Sequence, residues 1–340
     1  LLSGTNKKLL KEFLKYFPAD FIGEGLDQTR GWFYTLLVLS TILFENTAYK
    51  NVIVNGLILS ADPNNTGKWI KMSKRYKNYP NPEEVLVKYG ADALRLYLLD
   101  SPVTHSEPLK FQEEGLQLKS KFLIQLFNCF EFLESEIILL LTVTESNKKF
   151  KIIPSTQIYD QWILGKLKEL VDKATKHYSE YKLYLVVPLL IEFEELFSKW
   201  YINLSKLNMK GFNGPIIQKQ SLSTLWTLLR IFSILISPIT PFISEKIYHG
   251  LNDIIDWRCE PKELKPKKTV HLELLKTYAN SLNYDSNIAE KVSCMVDVVM
   301  AVRGLKTSNQ ISTRMKSKEL ILKHTKQSFL DNVKELENEL

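Results

Sequence analysis

The sequence divides into an α/β part followed by an all-α part, and three observations lead to that division. First, a strand-like run at Phe21-Ile22, a glycine-bearing turn and an apolar stretch from Thr35 to Phe44 precede a second strand-like run, Val52 to Leu59. That order is βαβ, whose crossover makes the strands parallel and, by the usual handedness, right-handed. Second, the loop Lys71-Met-Ser-Lys-Arg75 gathers three cationic groups just beyond the second strand. Third, apolar residues in the later half recur at helical spacing, as at Leu222, Leu225, Trp226, Leu229, Phe232 and Ile236.

Taken in order, the first strand ends near Ile22, Gly23 and Gly25 allow a tight turn, and Asp27 or Thr29 caps a helix running to about Glu45. Ligands of parallel sheets bind beyond the carboxyl ends of the strands. Glu24, Gly25, Asp27 and Gln28 should therefore face one crevice with Asn55, Gly56 and the lysine loop. After the loop, Asn81 reads as an N-cap, Pro82 as the first helical residue, Glu84 as the capping-box partner and Gly90 as an interruption. A further helix covers roughly Glu113 to Leu133, and the polar stretch Thr142 to Ser155 reads as a domain boundary. Helices are then expected at about Gln157 to Tyr181, Leu183 to Lys210, Gln218 to Ile236 and Pro241 to Leu251, the last capped by Thr240-Pro241.

In the second of these, Leu189, Phe193, Leu196, Phe197, Trp200, Leu204 and Leu207 form the expected core face, with Lys199, Asn203, Lys206 and Lys210 opposite. Such a polar stripe reads either as a solvated face or as a row of phosphate contacts. Trp257 to Asn287 is Lys/Pro-rich and irregular, consistent with a connector. Ala289 to Gly304 reads as a helix and Glu319 to Lys323 as a short strand before a final charged helix.

Composition narrows the function classes. A chain of 340 residues with 45% hydrophobic residues is long enough for two or three cored domains. The formal charge of +7 favours a polyanionic partner. Cys129, Cys259 and Cys294 form no Cys-x-x-Cys pair, which argues against a zinc ribbon or a disulfide framework and for a reducing compartment. The apolar run Leu36 to Phe44 is too short to span a bilayer, and no signal peptide opens the chain. The opening without Met reads as that of a fragment.

The loop carries the chemistry. Two lysines separated by Met-Ser, with Arg75 beside the second, can close on a triphosphate and neutralise charge passing from the α-phosphorus to departing pyrophosphate. Its setting is specific: Gly25-Leu-Asp-Gln-Thr-Arg-Gly-Trp-Phe-Tyr34, Asn51-Val-Ile-Val-Asn-Gly-Leu57, Lys71-Met-Ser-Lys-Arg-Tyr-Lys-Asn-Tyr-Pro80 and Tyr89-Gly-Ala-Asp-Ala-Leu-Arg-Leu-Tyr97. Together these strings resemble the isoleucyl-tRNA synthetases of the eukaryotic cytosolic type. The likeness extends through Leu196-Phe-Ser-Lys-Trp-Tyr-Ile-Asn203 and Ser237-Pro-Ile-Thr-Pro-Phe-Ile-Ser-Glu245.

The resemblance implies the C-terminal half of a class I synthetase Rossmann-like nucleotide-binding fold, followed by a helical-bundle anticodon-binding domain. The implied divisions are 1–60, the C-terminal part of the catalytic domain; 61–150, the lysine-signature loop and connecting helical region; 151–256, the anticodon-binding domain; and 257–340, a connector and the start of a C-terminal region. Isoleucine and ATP, the latter with Mg2+ as substrate, would form isoleucyl-adenylate, and tRNA(Ile) would accept the isoleucyl group in the cytoplasm. No tightly bound cofactor and no zinc in this chain are expected.

By the same resemblance Lys74 is the chief electrostatic stabiliser, with Lys71 assisting. Glu24, Gly25, Asp27, Gln28, Asn55, Gly56, Met72, Ser73 and Arg75 form the ATP and adenylate site. Trp32 lines the amino-acid pocket, or else is plain helix core. Lys199, Asn203, Lys206 and Lys210 are the implied tRNA contacts, whereas Arg303 and Lys306 read first as surface residues. Two departures stand out. The lead-in Asp62 to Ile70 is longer than usual, and no His-x-Gly-His signature is present, so the chain alone is expected to be inactive. The editing insertion of the family is missing too. A non-catalytic tRNA-binding module of synthetase ancestry, or another branched-chain synthetase, are the alternatives.

Overall fold

A computed structural model describes residues 7–62, 67–73, 78–144, 149–258, 264–280, 282–317 and 319–336. The chain forms two compact units, residues 1–121 with 176–188, and residues 122–175 with 189–340.

In the first unit, β1 (Ala19–Gly25) pairs in parallel with β2 (Tyr49–Asn55), and α2 (Trp32–Phe44) makes the crossover, as the βαβ reading expects. The helix starts later than the sequence suggests. Leu26–Arg30 is a 3-10 turn, Gly31 takes the N-cap position, and neither Asp27 nor Thr29 caps the helix. Instead Gln28 Oε1 accepts from the Trp32 amide at 3.0 Å, while Thr29 Oγ1 donates to the Leu26 carbonyl. The helix α1 (Lys7–Phe13) precedes β1, and Phe13, Phe17 and Phe44 cluster with ring centres 4.9–5.4 Å apart.

The expected single strand from Val52 to Leu59 is two strands. Gly56 breaks it, and β3 (Ile58–Ala61) joins a different sheet, antiparallel to β4 (Trp69–Lys71) and parallel to β5 (Leu109–Lys110). The cause is a close backbone approach: Gly56 N donates to Val103 O at 2.9 Å, and a Cβ on Gly56 would lie 1.9 Å from the Glu107 carbonyl oxygen. Two helices, α3 (Pro82–Tyr89) and α4 (Ala91–Leu99), follow, with Asn81 accepting from the Glu83 amide as N-cap and Gly90 between them at φ 82°. Their core is Val85, Tyr97, Val103, Leu109 and Leu116.

Longer helices dominate the rest. Helix α5 (Glu113–Val143) outruns its expected end by a further ten residues, α6 spans Ile158–Ser179 and α7 Leu183–Glu195. The expected continuous helix to Lys210 is broken into a π-helical turn, Leu196–Tyr201, and two short helices, α8 (Ile202–Leu204) and α9 (Lys206–Met209). A π turn carries an extra residue, which rotates everything after it by about 100° relative to an α-helix. The core face accordingly passes through Phe193, Phe197, Tyr201 and Met209, while Leu207 is 60% exposed.

At the centre of the second unit lies α10 (Pro215–Ile236), buried from Ser221 to Ile236 except at Thr227; its expected apolar face, Leu222 through Ile236, is buried as anticipated. A helix enclosed on all sides must satisfy its polar groups internally. Two networks do so. Asp160, fully buried, accepts from Tyr201 OH at 2.7 Å, Ser155 Oγ at 2.6 Å and Ser221 Oγ at 2.9 Å. Arg230, also fully buried, donates to Glu273, Tyr278 and Asn252 among the rings of Trp226, Tyr248 and Trp257. Helices α11 (Pro241–Asp253), α12 (Leu275–Ala279), α13 (Ser286–Ser308) and α14 (Gln327–Glu335) complete the unit. Thr240 stands at the N-cap of α11 without a side-chain cap bond, and residues 319–323 are irregular rather than a strand.

Candidate nucleotide site and bundle face

The register of β1 and β2 sets the geometry of the first site. Gly25 pairs with Asn55 and Glu24 with Val54, so the strands end side by side and deliver Glu24, Gly25, Asn55 and Gly56 to one edge. Asp27 and Gln28 follow on the 3-10 turn, with Gln28 Nε2 3.4 Å from Asp27 Oδ2. A Cβ on Gly25 would come within 2.9 Å of the Asp27 carboxylate, whose exposed side chain would have to shift. Glu24 and Asp27 are exposed, and a carboxylate has acceptor sites enough to take hydrogen bonds from the hydroxyls of a ribose-like ligand as well. Gln28 has its oxygen committed to the α2 N-terminus. Trp32 is 49% exposed, and its neighbour Phe33, at 4%, is the residue in the core.

Lys71 ends β4 with its side chain exposed, and Met72 N donates to Ile58 O at 3.0 Å. Ser73 N donates to Asn78 Oδ1 at 2.9 Å, while Asn78 Nδ2 reaches Lys71 O at 3.3 Å. Asn78, downstream of the lysine loop, thus ties its base to Lys71 and Ser73 on the upstream arm. The sequence reading passed over it, although an Asn just past the lysine signature is well suited to mimic a backbone turn. Lys74 and Arg75, and most of the lead-in between Asp62 and Gly67, lie outside the described residues. Behind the loop base, a cavity of about 510 Å³ is lined chiefly by apolar groups, among them Ile58, Met72, Tyr79, Val85, Leu94 and Phe111.

On the bundle, Lys199, Asn203, Lys206 and Lys210 are all exposed. They do not form one regular helical stripe, since the π turn and the non-helical Ser205 intervene. Lys199 is paired with Glu195 at 2.7 Å, and Asn203 donates to Lys199 O at 2.6 Å. Neither Lys206 nor Lys210 has a carboxylate within ion-pair distance among the described residues. Beneath this face Glu194 is 1% exposed, and burial pushes its carboxyl up to about 7. Among the described residues, no group of His, Cys, Asp and Glu is placed to hold a metal, and no helix is long and apolar enough to cross a membrane.

Two family models match separate parts of the chain. The family of class I tRNA synthetases for I, L, M and V matches residues 3–110, and the anticodon-binding domain of tRNA ligases matches residues 160–322. The two matches lie one after the other along the chain, and each is to a part of tRNA synthetases. Its similar sequences include the cytoplasmic isoleucine–tRNA ligases of Saccharomyces cerevisiae, 41% identical over 96% of this chain and 30% of that protein, and of Mus musculus, 38% identical over 96% of this chain and 26% of that protein. The chain thus spans about 30% of the length of such relatives. Among solved structures, Mycobacterium tuberculosis methionyl-tRNA synthetase in complex with methionyl-adenylate shares the fold at a TM-score of 0.57 and 18% identity, over 72% of this chain and 46% of that one.

Proposed function

We propose that the chain is the lysine-loop portion of the catalytic domain and the anticodon-binding bundle of an isoleucine–tRNA ligase. The whole enzyme activates isoleucine with ATP, brought in with Mg2+ as substrate, and passes the isoleucyl group to the terminal ribose of tRNA(Ile) in the cytoplasm. The observation that carries this reading is the side-by-side ending of β1 and β2, which sets Glu24, Gly25, Asn55 and Gly56 together.

In this reading the isoleucine carboxylate attacks the α-phosphorus, pyrophosphate departs, and the adenylate's ribose lies against Glu24, Gly25 and Asp27. Asn55 and Gly56 line the same edge, and Trp32 offers its open indole face to the branched side chain. Gln28 holds the helix start that orients Trp32. Lys71 and Lys74, with Arg75 beside the second and with Met72 and Ser73 shaping the loop, neutralise the charge that develops on the departing pyrophosphate. The Asn78 clamp fixes where that loop begins and ends. On the bundle, Lys199, Asn203, Lys206 and Lys210 face the tRNA backbone.

The test is single-turnover kinetics of the full-length enzyme. Lys74→Ala is expected to slow adenylate formation roughly 10²-fold or more while isoleucine affinity stays nearly unchanged, because the ammonium acts on transition-state charge. Normal adenylate formation in that variant would remove Lys74 from the role. The 340-residue chain by itself, lacking a His-x-Gly-His signature, is expected to bind tRNA without making adenylate.

A further inference from the structure

Among the described residues, two arginines of the bundle lie over tryptophan rings, and their settings are opposite. Arg230 is fully buried, and its charge is met by Glu273 at 2.9 Å with both side chains at 2% exposure or less. That is how a purely structural stacked arginine is balanced. Arg303, on α13, lies over the ring of Trp200 with 4.3 Å between the guanidinium carbon and the ring centre. It is exposed, and among the described residues no carboxylate pairs with it. Trp200 itself is half-buried within the π-helical turn Leu196–Tyr201, an irregularity that recurs at functional sites. Lys206 and Lys210, exposed and without carboxylate partners among the described residues, follow it in the chain.

An exposed guanidinium held 4.3 Å over an indole, with no carboxylate paired to it among the described residues, leaves a planar surface open to solvent. Planar guanidinium and aromatic faces are surfaces on which unpaired bases stack, and the guanidinium's edge N–H groups can donate to phosphate at the same time. A structural staple between α13 and the π turn would need neither the exposure nor the missing counter-charge.

We propose that the Trp200–Arg303 stack is a platform for an unpaired nucleotide of the tRNA anticodon loop. The base continues the indole–guanidinium stack, and its flanking phosphates are drawn to Arg303 and to the lysines that follow Trp200. This inference rests on the reading of the bundle as a tRNA-binding surface. It adds a contact that depends on planarity rather than on charge alone.

The two are separated by measuring the affinity of the full-length protein for a labelled anticodon stem-loop, and for the same stem closed into a blunt duplex, at two salt concentrations. Arg303→Lys keeps the charge and removes the plane; Trp200→Phe keeps a ring. Arg303→Lys and Trp200→Ala are expected to weaken stem-loop binding about tenfold, leave duplex binding unchanged and leave the salt slope unchanged. Trp200→Phe should retain most of the affinity. Because Arg303 is exposed, its variant is expected to melt with the wild type, which keeps the test independent of any fold defect at Trp200. Stem-loop binding by Arg303→Lys equal to wild type, or equal losses for stem-loop and duplex, would overturn the platform. If the wild-type protein binds neither RNA, the tRNA-binding reading of the bundle fails and the platform with it.

Discussion

Single residues decide how the nucleotide side of the chain is built. Gly56 ends one sheet and opens the next because nothing larger fits against the Glu107 backbone. Gly56→Ala must push apart two segments already joined by the Gly56–Val103 hydrogen bond. It is expected to destabilise the first unit by roughly 1–3 kcal/mol, the usual cost of overpacking, and urea unfolding of the variant checks this. The glycine was visible in the sequence as part of Asn55-Gly56, but its reason was not, since Glu107 lies far along the chain. Asn78 escaped notice for a related cause: a side-chain clamp on two backbone groups leaves no periodic pattern. Asn81-Pro82 and Gly90, by contrast, act on their immediate neighbours and were legible for that reason.

At the level of elements, the π turn is where pattern reading failed. A hydrophobic period of 3.6 assumes an unbroken α-helix, and Leu207 was assigned to the core on that assumption, whereas Tyr201 and Met209 occupy it. The turn begins two residues after Glu194, which packs near Cys129 of α5, Ser198, Lys199 and Glu195. Burial holds the Glu194 carboxyl at about 7, above the ordinary value of 4.5, so the folded state retains a proton that the unfolded state loses. Stability from this group is complete below pH 4.5 and lost as pH rises through about 7. Glu194→Gln, neutral throughout, is expected to flatten the stability profile across that window. Melting temperatures measured from pH 4.5 to 8 check it, and parallel profiles for variant and wild type would dismiss Glu194 as the cause.

For the molecule as a whole, the order of α/β segment then helical bundle could be read in advance because it rests on local order and periodicity. The networks around Asp160 and Arg230 could not, because their partners are distant in sequence; Arg230 and Glu273 are 43 residues apart. The excess positive charge of +7 makes its own forecast. Replacing Lys199, Lys206 and Lys210 together with Gln should lower tRNA affinity and flatten its salt dependence, with Lys199 contributing least because Glu195 already holds it. Titrations at two salt concentrations decide, and identical curves would mean those lysines face only water. The enclosed Arg230 has a further consequence for proteolysis. Trypsin cuts after Arg and Lys only where the backbone can open, so the bond after the exposed Lys268 should be cleaved in the native protein while the bond after Arg230 stays closed. Cleavage at Arg230 then reports the opening of the bundle interior itself, and its rate under native conditions measures how often that interior comes apart.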